Sequence, residues 1–397
     1  MDNASTAAQP AGESARAGFA RGWLRDAPAL RSLGMVLALI VVWVIFSVLT
    51  DGVFLSARNF SNLMRQTAVT GILAVGMMLV IITGRIDLSV GSLVGLCGMA
   101  AVLAQAQLHW GAGLSVLAAL LAGAAIGAMQ GALTAYVDVP SFIVTLGGLL
   151  AWRGVTKGVS SGNTYPVEVP AFKAIGQSYL GASAGLALAA VGIAATVWLV
   201  WRRREAQKRH GLRRWSAAGM VLRIAVPALL IAAFVVSLNS YAGVPVPVLI
   251  LVAVAAAGTF VTQQMKFGRY LYAIGGNAEA ARLSGVNLRS HIMATFCILG
   301  ALSGVAGVIY TARVGSAGPD AGALLELDAI AACVIGGASL MGGRGTVLGA
   351  CLGALFMASL DNGMSLRNVP DFIQDIVKGA ILVAAVALDI LSRRRGG

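Results

Sequence analysis

Three features of the sequence predict an all-α, polytopic membrane protein: more apolar surface than a soluble core can hide, apolar runs of membrane-spanning length, and glycines spaced for close helix contact. Of 397 residues, 58% are hydrophobic and 11% charged, against roughly 45–50% and about 25% in an average soluble domain. With a mean hydropathy of +0.83, lipid must be the solvent for much of the chain.

The first 32 residues are small, polar and Arg-containing, and read as a disordered cytoplasmic tail. The apolar run at 33–49 is followed by "TDGVF" rather than a small-x-small cleavage site, so it reads as an uncleaved first span. Further runs lie near 67–83, 88–107, 112–137, 142–156 and 182–201, then 217–238, 244–262, 291–311, 327–341, 345–362 and 371–391. That makes about twelve spans, ten if the short or interrupted ones fail. With the N-terminus inside, parity returns the chain inside at Trp201, again before 263–290, and finally at 392–397. The loop 312–326, with Asp320 and Glu326, falls outside.

The formal charge of +13 does not indicate nucleic acid. The basic residues gather in short connections: Arg16 to Arg31, the run "RRREAQKRHGLRR" at 202–214, Lys266 to Arg289, and Arg393 to Arg395. Such clustering is the mark of cytoplasmic loops. The cysteines (Cys97, Cys297, Cys333, Cys351) lie singly in apolar runs, and His109, His210 and His291 are far apart. No metal or cofactor site is expected.

Glycine recurs four residues apart at Gly91/Gly95, Gly123/Gly127/Gly131, Gly300/Gly304 and Gly345/Gly349/Gly353. In lipid, helices associate by close backbone approach, which small residues permit. These glycines are expected to pack helices. A loose echo links "VIITGRIDLSVGSLVGLCG" at 80–98 with "VIGGASLMGGRGTVLGACLG" at 334–353, each an apolar run, a polar break and a Gly-rich helix. Repeats of this kind are common in transporters.

No phosphate-binding loop, HExxH or GxSxG motif is present, so no catalytic constellation is expected. Of the ionisable residues near membrane depth, Asp375 and Lys378 are spaced to pair across one helical turn, and Asp328, Asp361 and Asp389 are not placed as clear mid-span carboxylates. In "GRIDLSVGS" at 84–92, Arg85, Asp87, Ser89 and Ser92 interrupt an apolar region. Either this is a turn with Asp87 near a helix start, or a broken helix whose polar residues line a path. In "NAEAARLSG", Asn277 suits an N-cap, Glu279, Ala280, Ala281, Arg282 and Leu283 favour helix, and Gly285 suits the C-cap. Gly275 and Gly276 permit a sharp turn before it. The interval 263–290 is long for a connector, so a docking helix is the sharper reading.

These stretches carry a resemblance. "NLMRQTAVTGILAVGMMLVI" with "ITGRIDLSVGSLVGLCG", "GRYLYAIGGNAEAARLSGVN" and "GGASLMGGRGTVLGA" resemble the ribose/xylose-type permease family of bacterial ABC sugar importers, over about 55–165 and 245–391. An added segment near 182–238, with the basic run between two apolar spans, resembles the D-xylose permease branch. Arg85 departs from the Gly or Glu usual before "IDLSVG". The resemblance implies an inner-membrane permease importing a monosaccharide, D-xylose above all. It further implies a cytoplasmic ATP-binding subunit docked at 275–285, a periplasmic sugar-binding protein and a second permease copy forming a homodimer, within membrane lipid. Hydrolysis would then occur on another chain. A permease for another sugar, a nucleoside or a signalling furanose is the alternative within the class, and an ATP-independent carrier the alternative outside it.

Overall fold

The computed structural model describes residues 27–209 and 217–394, and within them fifteen helices form nearly all of the regular structure. The expected N-terminal tail, the middle of the basic run and the last residues lie outside the described residues. The helices are α1 (Ala27–Leu49), α2 (Ala57–Ile82), α3 (Val90–Leu108), α4 (Ala112–Tyr136), α5 (Ser141–Ser160), α6 (Pro170–Gln177), α7 (Ala182–Arg209) and α8 (Ala217–Asn239). They continue with α9 (Val246–Gln264), α10 (Lys266–Gly276), α11 (Ala278–Leu283), α12 (Leu288–Val314), α13 (Leu325–Ile335), α14 (Val347–Leu366) and α15 (Asp371–Arg394).

Eight of these, α2, α3, α4, α7, α8, α9, α12 and α14, are long and apolar enough to cross a membrane. The other four expected spans fall on helices that depart from that pattern. The apolar part of α1 is shorter, Gly34–Leu49. Helix α5 carries Trp152, Arg153 and Lys157, and α15 opens with Asp371, Asp375 and Lys378. Helix α13 has only 11 residues, about 16 Å of rise against a hydrocarbon core of about 30 Å. The expected span at 327–341 is therefore a half-helix. It stops at Gly336, and the chain then runs irregularly through Gly337, Gly342 and Gly343, all at φ values from 71° to 89°.

The core is built on α2, whose Ile72, Leu73, Met77, Ile81 and Ile82 are fully buried among α9, α12, α13 and α14. Helices α4 and α12 meet backbone to backbone. A Cβ on Gly123 would strike the Gly300 carbonyl, one on Gly127 the Phe296 carbonyl, and one on Gly304 would lie 3.0 Å from the Ala119 carbonyl carbon. Gly131 faces Met293 in the same seam. Gly349 and Gly353 lie against the Gly336 and Ala332 carbonyls, joining α14 to α13, while Gly345 is a turn residue at φ 155°.

Alternating helices place the connections on two faces. On one face, β1 (Tyr165–Pro166) pairs antiparallel with β4 (Ser316–Ala317), and β2 (Tyr179–Leu180) with β3 (Val244–Pro245). Lys157 and Asp320 pair there at 2.9 Å. The opposite face carries 83–89, 137–140, 265–287 and 336–346, tied by the Gly343 N–H donating to the Ile82 carbonyl at 2.8 Å and by Arg289 near Asp138 at 3.8 Å. After β4 the chain turns back into the bundle. Ala321 and Gly322 press their carbonyls where Cβ atoms of Gly95 and Gly91 would stand, so α13 starts beside the first turns of α3.

Candidate functional site

The polar stretch at 265–290 folds as two short helices and a cap. Met265, extended at ψ 151°, ends α9 and starts α10. The Asn277 side chain accepts from the Ala280 N–H at 2.9 Å and so caps α11. Gly285, at φ 83°, ends α11: its N–H donates to the Arg282 carbonyl, and the Val286 N–H to the Ala281 carbonyl. That paired pattern is a Schellman stop, which favours glycine because the left-handed backbone disfavours a Cβ. Asn287 then caps α12 through the Ser290 N–H. The ends of α11 and the start of α12 are thus specified locally.

The segment stands proud of the bundle. Glu279, Ala280, Arg282 and Leu283 are exposed, Leu283 to 76%, while Ala281 is buried beneath α11. Arg282 Nη2 pairs with Glu279 Oε1 at 2.6 Å. That hydrogen bond holds the Glu279 carboxyl below its ordinary range and the guanidinium above its own. An apolar leucine beside an ion pair on an open surface is suited to a protein partner.

The root of the segment is buried. A Cβ on Gly275 would run into the Ile82 carbonyl and stand 2.5 Å from the Gly343 nitrogen, and one on Gly342 would stand 2.9 Å from Gly275 and from the Gly84 nitrogen. The Tyr272 hydroxyl donates to the Gly345 carbonyl at 2.7 Å. Helix α10, which leads into the exposed helix, therefore grips both irregular breaks, at 83–89 and at 336–346. Gly276, one residue on, has open space where a side chain would go.

At the first break, Asp87, Ser89 and Ser92 come together. The Ser89 N–H and Oγ each lie 2.7 Å from Asp87 Oδ1, and Ser92 Oγ donates to the Ser89 carbonyl at 2.7 Å. Arg85 does not join them: its Nη1 donates to the Thr83 carbonyl at 2.9 Å. Sequence reasoning missed the residues that face this group from other elements. Ser89 Oγ lies 3.0 Å from Gln130 Oε1 on α4. Gln130 and Trp152 also crowd the place of a Gly148 side chain. A lone glutamine among the α4 glycines was the available signal.

A second polar group lies between α13, α14 and α15. Lys378 reaches Asp361 Oδ1 at 2.9 Å and Asp328 Oδ2 at 3.3 Å. It does not turn to Asp375 one turn away, because the buried Asp328 and the half-buried Asp361 of neighbouring helices offer it partners where little water reaches. A cavity of about 260 Å³ lies beside it, walled largely by Leu324, Leu327, Ala331, Met357 and Leu382.

Residues 59–386 match the family model described as "Branched-chain amino acid transport system / permease component". The chain is 49% identical over 361 residues, 91% of its length and 92% of the relative's, to the xylose transport system permease protein XylH of Escherichia coli K12. It is 45% identical to the protein of that name from Haemophilus influenzae, with 91% and 96% covered. It is 36% identical to the ribose import permease protein RbsC of E. coli K12, with 95% and 97% covered. No solved structure is a significant match. A multi-pass helical bundle, matched along most of its length in this way, belongs to the permease-component family of membrane transport systems, among its ribose/xylose-type permeases.

Proposed function

We propose that this chain is the permease subunit of an ATP-binding-cassette importer that carries a pentose, D-xylose, across the bacterial inner membrane. The observation that carries the reading is α11: a capped, exposed helix with none of the described residues over it, joined through Gly275 of α10 to both breaks of the bundle. A cytoplasmic ATP-binding subunit seated on α11 would move both breaks together. The substrate assignment is supported by the XylH relatives. The basic ends of α7 and α15 and the segment 265–290 support a cytoplasmic side for their shared face, with both termini inside. A periplasmic sugar-binding protein delivers sugar to the opposite face, and a second copy of the chain completes the channel.

The test is uptake in proteoliposomes containing the chain, its ATP-binding subunit and its binding protein, with labelled xylose and ribose in competition. ATP-dependent accumulation of xylose supports the reading. Equilibration without ATP makes the chain a carrier, and preference for ribose reassigns the sugar.

A further inference from the structure

Buried polar side-chain atoms are nearly all paired in native interiors, yet one seam of this bundle keeps four that have no hydrogen-bond partner among the described residues. They are Gln130 Nε2 on α4, Trp152 Nε1 and Arg153 Nη2 on α5, and Glu326 Oε2 at the start of α13. Gln130 is 1% exposed and Glu326 3%. Each glycine opposite them is bare for a reason: a Gly148 side chain would crowd Trp152 Nε1 at 3.1 Å and the Gln130 amide, and a Gly91 side chain would strike the Glu326 carboxylate. Arg153 lies within electrostatic reach of Glu326, but the two form no ion pair.

The seam crosses the bundle. It begins at Asp87 and Ser89 on one face, where Ser89 meets Gln130, and ends at the Lys157–Asp320 pair on the other. Helix α5 closes it with only Thr145, Gly148, Thr156 and Ser160 buried. Parting α5 from the bundle would therefore expose little apolar surface, so this is the side that can open at small cost. A hydroxyl donates and accepts at once. It can bridge Arg153 to Glu326, or take the Trp152 N–H, as no apolar group can.

We propose that this seam is the polyol-conducting surface, with Gln130, Trp152, Arg153 and Glu326 binding the hydroxyls of a passing sugar in turn. The proposal rests on the reading of the chain as a sugar permease. Its test uses the complete importer in proteoliposomes, with Glu326→Gln, Trp152→Phe and Gln130→Leu variants, reading xylose uptake and ATP hydrolysis together. Loss of one well-made hydrogen bond should lower uptake about tenfold while hydrolysis continues at the wild-type rate, so sugar moved per ATP falls. Variants that move wild-type amounts of sugar per ATP overturn the proposal, as do variants in which uptake and hydrolysis fall in step. Glu326→Gln and Trp152→Phe preserve shape and carry the test if Gln130→Leu fails to insert. A wild-type importer that moves no xylose with ATP overturns the permease reading itself, and this inference with it.

Discussion

Gly275 and Gly276 are adjacent, and their surroundings differ completely. A Gly275→Ala side chain meets the backbone of Ile82 and Gly343, and overpacking of this kind costs about 1–3 kcal/mol. Its expected result is a lower melting temperature in detergent. A Cβ at Gly276 has open space among the described residues, so Gly276→Leu should melt with the wild type and fail only where a partner must seat. Equal melting of both variants would contradict this account of the junction. The Glu279–Arg282 pair supplies a pH dependence. Because the Arg282 hydrogen bond holds the folded carboxyl below its ordinary range, the pair's contribution is present above the unfolded carboxyl's pKa and lost as pH falls through the folded one. Amide exchange in α11 should quicken below that range in the wild type, and the Glu279→Gln variant should lack the step.

At the scale of elements, the clearest test is the bond between α13, α14 and α15. Lys378→Met leaves Asp328 and Asp361 without their cation, and breaking a buried pair in this way costs about 3–5 kcal/mol. The variant should melt well below the wild type, and adding Asp328→Asn and Asp361→Asn should restore much of the loss. A Lys378→Met protein as stable as the wild type would show that the cluster holds nothing together. What the sequence disclosed at this scale follows from range. Capping at Asn277 and Gly285 is a local matter of a few residues, so the helix they bound could be read directly. The glycine spacing of α4 and α12 showed faces of small residues, though not that Gly123 and Gly300 would face each other. Asp328, Asp361 and Lys378 come from three helices, and only the folded chain shows that they meet. The same holds for Gln130, Trp152 and Glu326. Helix α13 was misjudged in length because its apolar run continues past Gly336, where left-handed glycines end the helix but not the hydropathy.

Across the whole molecule, one face holds the breaks, α11 and the basic end of α7, and the other holds the paired short strands. Single cysteines at 276 and 205 should therefore react with an impermeant thiol reagent only in inverted vesicles, and one at 241 only in intact cells. Labelling of all three from the same side would undo the arrangement. Whether α11 seats an ATP-binding subunit is read by copurification. The tagged chain and its Gly276→Leu variant would be drawn from the native membrane in mild detergent, and the bound ATP-binding subunit measured. The expected result is a near-stoichiometric subunit with the wild type and its loss from an equally stable, equally inserted variant. An ATP-binding subunit held as firmly by Gly276→Leu as by the wild type, or a wild-type chain that comes down alone and still moves xylose without ATP, would contradict that seating.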